Sequence, residues 1–355
     1  MQFGIFLPAH IEMWRALQRA EQAGFSHGWL YDSQMLFADV FSCLALAAEH
    51  TETMILGPGV TNPGSRVAPL MASSMGTMNA LGPGRAVLGI GTGNTTRRAM
   101  GLPPVQIDDF REYLRVCRAL MAGERVDYHE GARTRDIEMM DAGDEMMRFE
   151  EPIPIVVSAF GPRTYALAGE LADGVMIGAR PDADSIAAVR AGLEEGARAA
   201  GRDPAAIEIV LYTSIYVLED GETMDSPLLR STLVPLAAPG IARWAVAGED
   251  EPPEAYRAAV ATYQDTHGEI DRATRHLEIY RGYLWRAPPA LDALVNEDVL
   301  RASALIGTAD EVLSQIREWE SLGVTQIGLR AGGGNGIAAA GDFAERFASQ
   351  VIARY

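Results

Sequence analysis

The sequence predicts a single α/β domain, a (β/α)8 TIM barrel over residues 1–355 with insertions at about 123–152 and 219–323. Eight short apolar runs alternate with segments of helical spacing along the chain. Each run is apolar at nearly every position, which is typical of parallel strands buried on both faces. Eight such units favour a closed barrel, in which the larger insertion separates strands seven and eight. The predicted strands span 2–8, 27–33, 54–62, 85–93, 153–161, 174–178, 207–218 and 324–331.

The first predicted helix follows the first strand and shows the pattern that the others repeat. Met13, Leu17 and Ala20 recur at intervals of three or four residues, and Gly24 lies where the helix would end. The remaining predicted helices span 38–50, 68–81, 107–122, 162–172, 182–200 and 340–353.

An open dinucleotide-binding sheet is the alternative architecture for such an alternation. Its fingerprint requires a third glycine at a set spacing after the first two. Neither glycine-rich run, 89–96 or 331–336, has that spacing, and no GK[ST] phosphate loop occurs. The barrel therefore remains the preferred prediction.

The bulk composition argues against several classes of function. A formal net charge of -18 disfavours nucleic acid or an anionic membrane as a partner, because both need basic patches. The N-terminal stretch MQFGIFLPAH lacks the basic start of a signal peptide, and no run approaches the ~20 apolar residues of a membrane span. Cys43 and Cys117 lie far apart and fit a reducing compartment. We therefore expect a cytoplasmic protein whose partner is a small molecule.

In a (β/α)8 barrel the active site lies at the carboxyl ends of the strands. The residues at those ends are mostly glycine or small polar residues, and those able to do acid–base work are few: His10, Asp32 and Tyr212. The six histidines form neither an HExxH motif nor a cluster with cysteine, so we expect no metal site. With so few acid–base groups, a bound cofactor is expected to carry the chemistry.

The stretch from Ser158 to Thr164 joins a predicted strand to a helix through small residues and a proline. Gly161 permits close approach of the backbone, and Pro162 fits the first position of a helix. The free N–H groups of that first turn, together with the charge of Arg163, form a site for an anion such as phosphate. A helix start without any ligand would have the same sequence, so both interpretations stay open.

Four stretches together resemble the bacterial luciferase-like oxidoreductase superfamily, and within it the coenzyme F420-dependent reductases similar to methylenetetrahydromethanopterin reductase. They occur in the family's order along nearly the whole chain. They are AEQAGFSHGWLYDSQ (20–34), GPGVTNPGSRVAP (57–69), LGPGRAVLGIGTGNTTRRAMGLPP (81–104) and PIVVSAFGPRTYALAGELADGVMIG (154–178). The Thr-Asn-Pro segment in the second stretch is commoner on the deazaflavin side of the family than on the flavin mononucleotide (FMN) side.

The resemblance implies that the deazaflavin ring of F420 lies across the barrel mouth, near a non-prolyl cis peptide between Gly59 and Val60. The phosphate and tail would run toward the turn at 158–164. Asn94 stands where relatives often have an acidic residue, so no proton donor is assigned there. The residues implied for cofactor binding are Asp32, Ser33, Gly59, Val60, Thr61, Asn94, Ser158, Ala159, Phe160, Gly161, Pro162, Arg163, Thr164, Gly178 and Ala179.

The function that the resemblance implies is hydride transfer between F420 and a small organic substrate. Asp32 and His10 are the candidate catalytic residues, and the insertion at 219–323 would cover the substrate. The candidate substrate-binding residues are His10, Tyr280, Tyr283 and Trp285. The chain is expected to form a homo-oligomer, most simply a dimer.

Two alternative functions stay open. One is an FMN-dependent monooxygenase that uses O2, because a reduced flavin at the same place would meet oxygen. The other is a non-catalytic flavin-binding protein, which would lack the substrate cavity that the long insertion is expected to form.

Overall fold

The computed structural model describes residues 1–140, 146–247, 251–268, 270–331 and 336–355. Part of the glycine-rich run, at 332–335, and parts of the predicted insertions, at 141–145, 248–250 and 269, lie outside the described residues. The strands are β1 Gln2–Pro8, β2 His27–Tyr31, β3 Ile55–Pro58, β4 Leu88–Ile90, β5 Val126–Glu130, β6 Arg133–Ile137, β7 Ile155–Ser158, β8 Gly174–Gly178, β9 Glu208–Thr213, β10 Ile215–Val217, β11 Leu305–Gly307 and β12 Gln326–Arg330.

Helices follow the barrel strands and also build much of the larger insertion. They are α1 Trp14–Gln22, α2 Val40–His50, α3 Ala68–Leu81, α4 Asn94–Arg98, α5 Ile107–Met121, α6 Pro162–Leu171, α7 Ala183–Ala199, α8 Pro227–Ala247, α9 Glu254–His267, α10 Arg275–Ile279, α11 Pro289–Asp292, α12 Glu297–Ser303, α13 Ala309–Ser321 and α14 Gly336–Gln350. Short 3-10 turns span Pro204–Ala206 and Ile352–Arg354. Each helix predicted from the sequence has a counterpart among them.

Eight of the strands form one parallel barrel. Their order is β3-β2-β1-β12-β9-β8-β7-β4, which follows the chain when the four other strands are left out. The two ends of this sheet meet through parallel bridges from Leu56 to Ala86 and from Thr61 to Ile90. The predicted (β/α)8 fold is therefore confirmed.

Side-chain caps begin several of the outer helices where the sequence supplies them. Asp39 accepts a backbone N–H at the start of α2, and Asp182 does the same at the start of α7. Thr308 and Glu311 form a reciprocal capping box at the start of α13. These caps fix where the chain turns into each helix.

Aromatic rings fill the lumen of the barrel. Phe6 and Trp29 are buried and stack at a centroid distance of 5.6 Å. Trp29 Nε1 donates to Gln326 Oε1 at 3.0 Å, so the polar group of the indole is satisfied. Tyr212 packs edge-on against Phe6 at 4.7 Å. The lumen is thus packed up to the level of Tyr212, where the open mouth begins.

The seventh predicted strand, 207–218, is broken at Ser214. β9 stays in the barrel, whereas β10 leaves it and pairs in parallel with β11. The Ser214 carbonyl accepts from the Leu305 N–H at 2.9 Å, which brings the end of the larger insertion back to the barrel. The sequence does not reveal this break, because both halves of the run are equally apolar.

The two predicted insertions contain ordered elements. Residues of the 123–152 region form the antiparallel hairpin of β5 and β6. In the 219–323 region, helices α8, α9 and α12 pack on one another around a second apolar core that includes Leu233, Val260 and Leu300. Within the described part of the chain, every helix is too short or too polar to cross a bilayer.

Candidate active site

The chain after β3 forms one wall of the barrel mouth. The Gly59–Val60 peptide bond is cis, which confirms the prediction made from the sequence. Val60 Cγ2 and Ser158 Cβ each lie 3.3 Å from the position that a Cβ on Gly91 would occupy. Gly91 therefore leaves room where any other residue would crowd its neighbours. We call Val60, Gly91 and Ser158 the ring wall, since Gly91 and Ser158 lie next to Val60, which the resemblance places near the cofactor ring.

Asp32 follows β2 and is buried at the edge of the mouth. Its Oδ2 accepts from Thr61 Oγ1 at 2.6 Å and from Arg66 Nη1 at 2.5 Å. Burial raises the pKa of Asp32, and the bonds from Thr61 and Arg66 offset only part of that rise. The carboxylate thus ties the end of β2 to the loop after β3. Its catalytic role stays a prediction.

Ser33 and Asn94 are held by neighbours at the strand ends. Thr96 Oγ1 donates to the Asp32 carbonyl at 2.7 Å and lies 3.3 Å from Ser33 Oγ. Asn94 begins α4, and its Oδ1 accepts from Arg98 Nε at 2.6 Å. The side-chain oxygen of Asn94 is therefore bonded within its own helix, which is consistent with a role in shaping the loop.

The predicted anion site lies where β7 passes into α6. The Gly161 carbonyl accepts from the N–H groups of Thr164 and Tyr165, both at 3.0 Å. The Phe160 N–H donates to Thr164 Oγ1 at 3.3 Å. Among the described residues, no acceptor faces the N–H groups of Gly161 or Arg163, and the Arg163 side chain is exposed without an ion pair. Unbonded N–H groups at a helix start can bind a phosphate, and binding at this turn stays a prediction.

The end of β8 lies beside that turn. The exposed Phe160 ring comes within 3.1 Å of the position that a Cβ on Gly178 would occupy. Ala179 has a φ of 71°, a left-handed conformation that residues with a Cβ seldom adopt. Ala159 is buried, and its N–H donates to the Met176 carbonyl at 3.0 Å. The fold therefore brings together the residues assigned to the cofactor phosphate and tail.

An aromatic segment of the larger insertion covers the mouth. The Trp285 ring lies parallel to that of His10, with centroids 6.5 Å apart. The Tyr283 hydroxyl lies 3.4 Å from Thr95 Oγ1, and Tyr280 packs on Tyr283 at 5.1 Å. His10 Nδ1 accepts from the Glu12 N–H at 3.1 Å, so its proton in the neutral form is on Nε2. We call Tyr280, Tyr283 and Trp285 the aromatic cover. Substrate contact by the cover and His10 stays a prediction.

A cluster at the centre of the mouth was not predicted from the sequence. Arg330 ends β12, and its guanidinium carbon lies 4.9 Å from the centroid of the Tyr212 ring. The Tyr212 hydroxyl donates to the Tyr31 hydroxyl at 3.3 Å. We call Arg330, Tyr31 and Tyr212 the mouth cluster. The available signal was the position of all three near strand ends, but their proximity follows only from barrel closure.

Comparison with known proteins identifies the group to which this geometry corresponds. Residues 1–326 match the family model described as luciferase-like monooxygenase. The chain is 33% identical to 5,10-methylenetetrahydromethanopterin reductase of Methanolobus tindarius, over 92% of this chain and 93% of that protein. It is 30% identical to the reductase of the same name from Archaeoglobus fulgidus, over 92% of each.

A solved structure supports the fold. The coenzyme F420 dependent tetrahydromethanopterin reductase from Methanopyrus kandleri has a TM-score of 0.70 and 24% identity, with 100% of this chain and 99% of that chain covered. The agreement extends over the whole barrel and confirms the architecture predicted from the sequence.

Proposed function

This chain belongs to the luciferase-like family, and from that premise we propose that it transfers a hydride between coenzyme F420 and a small organic substrate. The observation that carries the proposal is the match, over 92% of the chain, to reductases of one name. Partial matches to proteins named F420-dependent hydroxymycolic acid dehydrogenase and F420-dependent glucose-6-phosphate dehydrogenase, each at 34% identity, support the same cofactor. The chain is accordingly an oxidoreductase.

The residues at the mouth fit this cofactor. The ring wall leaves open space between β3, β4 and β7, and a Cβ on Gly91 would narrow it. The unbonded N–H groups of Gly161 and Arg163 provide donors for a phosphate. Apart from Gly161 and its two chain neighbours, no described atom lies within 4 Å of the position that a Cβ on Gly161 would occupy, so the space beside this residue is open.

Bound F420 supplies a carbon centre that gives or accepts a hydride. The protein's own residues bind, position and shield. Val60 would support one face of the ring, while Gly161 and Arg163 would hold the phosphate. The aromatic cover and His10 would close the site over the substrate and exclude water. Fixing the two reactants next to each other is the main source of the rate increase that such a site can provide.

Titration of the apoprotein with F420 and, separately, with FMN tests the proposal. Fluorescence quenching should report clearly tighter binding of F420. Protein loaded with reduced F420 should oxidise its cofactor only when an organic acceptor is added, with little oxygen consumed.

An FMN-dependent monooxygenase is the second candidate, favoured by the description of the matching family model. In that case FMN would bind more tightly than F420, and substrate would stimulate rapid oxygen uptake with formation of an oxygenated product. Those two results together would replace the proposal.

The homodimer expected from the sequence belongs to the same proposal. Exposed apolar side chains at α3 support it: Val67, just before the helix, and Leu70 and Leu81 within it are 56%, 51% and 43% exposed. Sedimentation of the wild type and of Leu70→Glu tests it, with a shift toward the monomer expected for the variant. The cytoplasmic location stays a prediction.

A further inference from the structure

The mouth cluster includes the positive charge of Arg330, which forms no ion pair among the described residues. Arg330 is half-buried, and its Nε atom is buried with no hydrogen-bond partner in the described part of the chain. The neighbouring acid, Asp32, is already bound to Arg66. An arginine keeps its charge at any physiological pH. Leaving such a donor unmatched in a buried position costs free energy that a ligand could recover.

We propose that Arg330 and the Tyr31–Tyr212 hydroxyl pair form a subsite for an anionic oxygen group, a carboxylate or a phosphate, on the substrate. This subsite rests on the proposed hydride transfer for its role, but binding there can be measured without turnover. The subsite would fix one end of the substrate at the centre of the mouth.

Because the Tyr212 hydroxyl already donates to Tyr31, the Tyr31 hydroxyl is the neutral donor of this subsite, and neither tyrosine supplies the missing negative charge. Burial raises the pKa of Tyr31 well above its usual range. Burial also raises the pKa of Tyr283, which belongs to the aromatic cover. The cluster therefore presents one cation and one free hydroxyl donor, without a carboxylate of its own. Charge-assisted hydrogen bonds to an anionic oxygen match this combination.

A role of Arg330 in packing alone explains less of its geometry than anion binding does. The stacking of Arg330 on Tyr212 gives a cation–π contact, which accounts for the face of the guanidinium. It leaves the Nε–H donor unmatched, and the lumen below is already filled by Phe6 and Trp29. An anion in the mouth would neutralise the charge of Arg330 and accept a hydrogen bond from its Nε–H.

This subsite is distinct from the phosphate turn. In the barrel, β9 and β8 separate β12, which ends in Arg330, from β7, which precedes Gly161. Arg330 and Arg163 therefore serve different anionic groups, one on the substrate and one on the cofactor.

Calorimetric titration of the F420-loaded protein with benzoate, with its neutral counterpart benzamide and with inorganic phosphate tests the proposal. We expect benzoate or phosphate to bind at least about 10-fold more tightly than benzamide, and Arg330→Gln to weaken that anion about 10- to 100-fold. Arg330→Lys should retain part of the affinity. Arg317→Gln is the matched control, because Arg317 also lies over a tyrosine ring, at 6.0 Å from Tyr355, but on the outer surface.

The relative affinity of the two anions identifies the source, with tighter benzoate indicating a carboxylate and tighter phosphate indicating a phosphate ester. The subsite is refuted if neither anion binds more tightly than benzamide. It is also refuted if Arg330→Gln weakens F420 and leaves both anions unchanged, because Arg330 would then belong to the cofactor site. If F420 does not bind but the apoprotein binds benzoate or phosphate through Arg330, the subsite stands and the proposed function fails.

Discussion

The guanidinium of Arg66 lies 2.5 Å from Oδ2 of Asp32 and forms an ion pair at the edge of the barrel mouth. The two side chains are only 13% and 2% exposed, so water does little to screen them. Arg66 also reaches the more exposed Asp39 at 2.7 Å. This pair joins the end of β2 to the loop after β3, two segments that the sequence assigns to the cofactor site.

Replacing Arg66 by glutamine should lower the free energy of unfolding by about 3–5 kcal/mol, because it leaves a buried carboxylate without its cation. Urea denaturation measures the loss. The raised pKa of Asp32 should rise further in this variant, so the loss should shrink as the pH falls and the carboxyl is protonated. Asp39→Asn, which removes the charge of the exposed partner but keeps an oxygen to cap α2, should cost less than about 1 kcal/mol. Equal losses in the two variants would contradict this account.

Glu222 should make the stability of the protein depend on pH. Burial alone would raise its pKa, but hydrogen bonds from Ser226, Tyr216 and Arg346 lower it to about 2, from 4.5. Because the pKa of Glu222 is lower in the folded state, the ionised carboxylate stabilises the fold at a pH above its pKa in the unfolded chain. This stabilisation is lost as the pH falls toward the folded-state pKa of about 2. Glu222→Gln should therefore cost roughly 3 kcal/mol at pH 7, and the difference from wild type should disappear between about pH 5 and 2.

Thermal or urea unfolding across that pH range measures the Glu222 effect. Glu219→Gln is its control, because Glu219 is 61% exposed and lies 3.6 Å from the same arginine. A difference between Glu222→Gln and wild type that stays constant with pH would show that the carboxylate charge is not the cause.

Replacing Arg163 by glutamate should weaken F420 binding by about 1–3 kcal/mol if the side chain contacts the phosphate. Fluorescence titration gives the dissociation constant. Arg198→Glu on α7 changes the net charge by the same amount and controls for long-range electrostatics in this acidic protein. An unchanged dissociation constant for the Arg163 variant would place that arginine outside the site.

Gly282 should be required for the turn that holds the aromatic cover. Its φ is 69°, and a Cβ there would lie 2.0 Å from the Arg286 carbonyl oxygen. Gly282→Ala should loosen the turn and speed trypsin cleavage after Arg281 and Arg286. Gly131→Ala is the matched control, since Gly131 has a φ of 59° and, apart from its chain neighbours, no described atom within 4 Å of the position that its Cβ would take. Equal rates of trypsin cleavage in the two variants would show that the turn accommodates a Cβ at Gly282 without loosening.

Much of the fold could be predicted because its signals are local. A strand buried on both faces is apolar along its length, and an outer helix has an apolar stripe, whatever lies far away in the chain. The helix predicted at 107–122 forms at Ile107–Met121 for that reason, with Phe110, Leu114, Cys117 and Met121 buried along one side. The turn at 158–164 is likewise local, since Gly161 and Pro162 favour a helix start without help from other segments.

By itself, the sequence determined the barrel, the family and the segments that form the mouth. Only the tertiary structure decided which side chains meet there. Tyr31 and Tyr212 are 181 residues apart, and Arg330 stacks on Tyr212 because β12 and β9 are adjacent in the closed sheet. The chain likewise leaves the barrel at Ser214 because the strand that follows it, β10, pairs with β11. Contacts of this kind depend on the register and closure of distant strands, which no local pattern encodes.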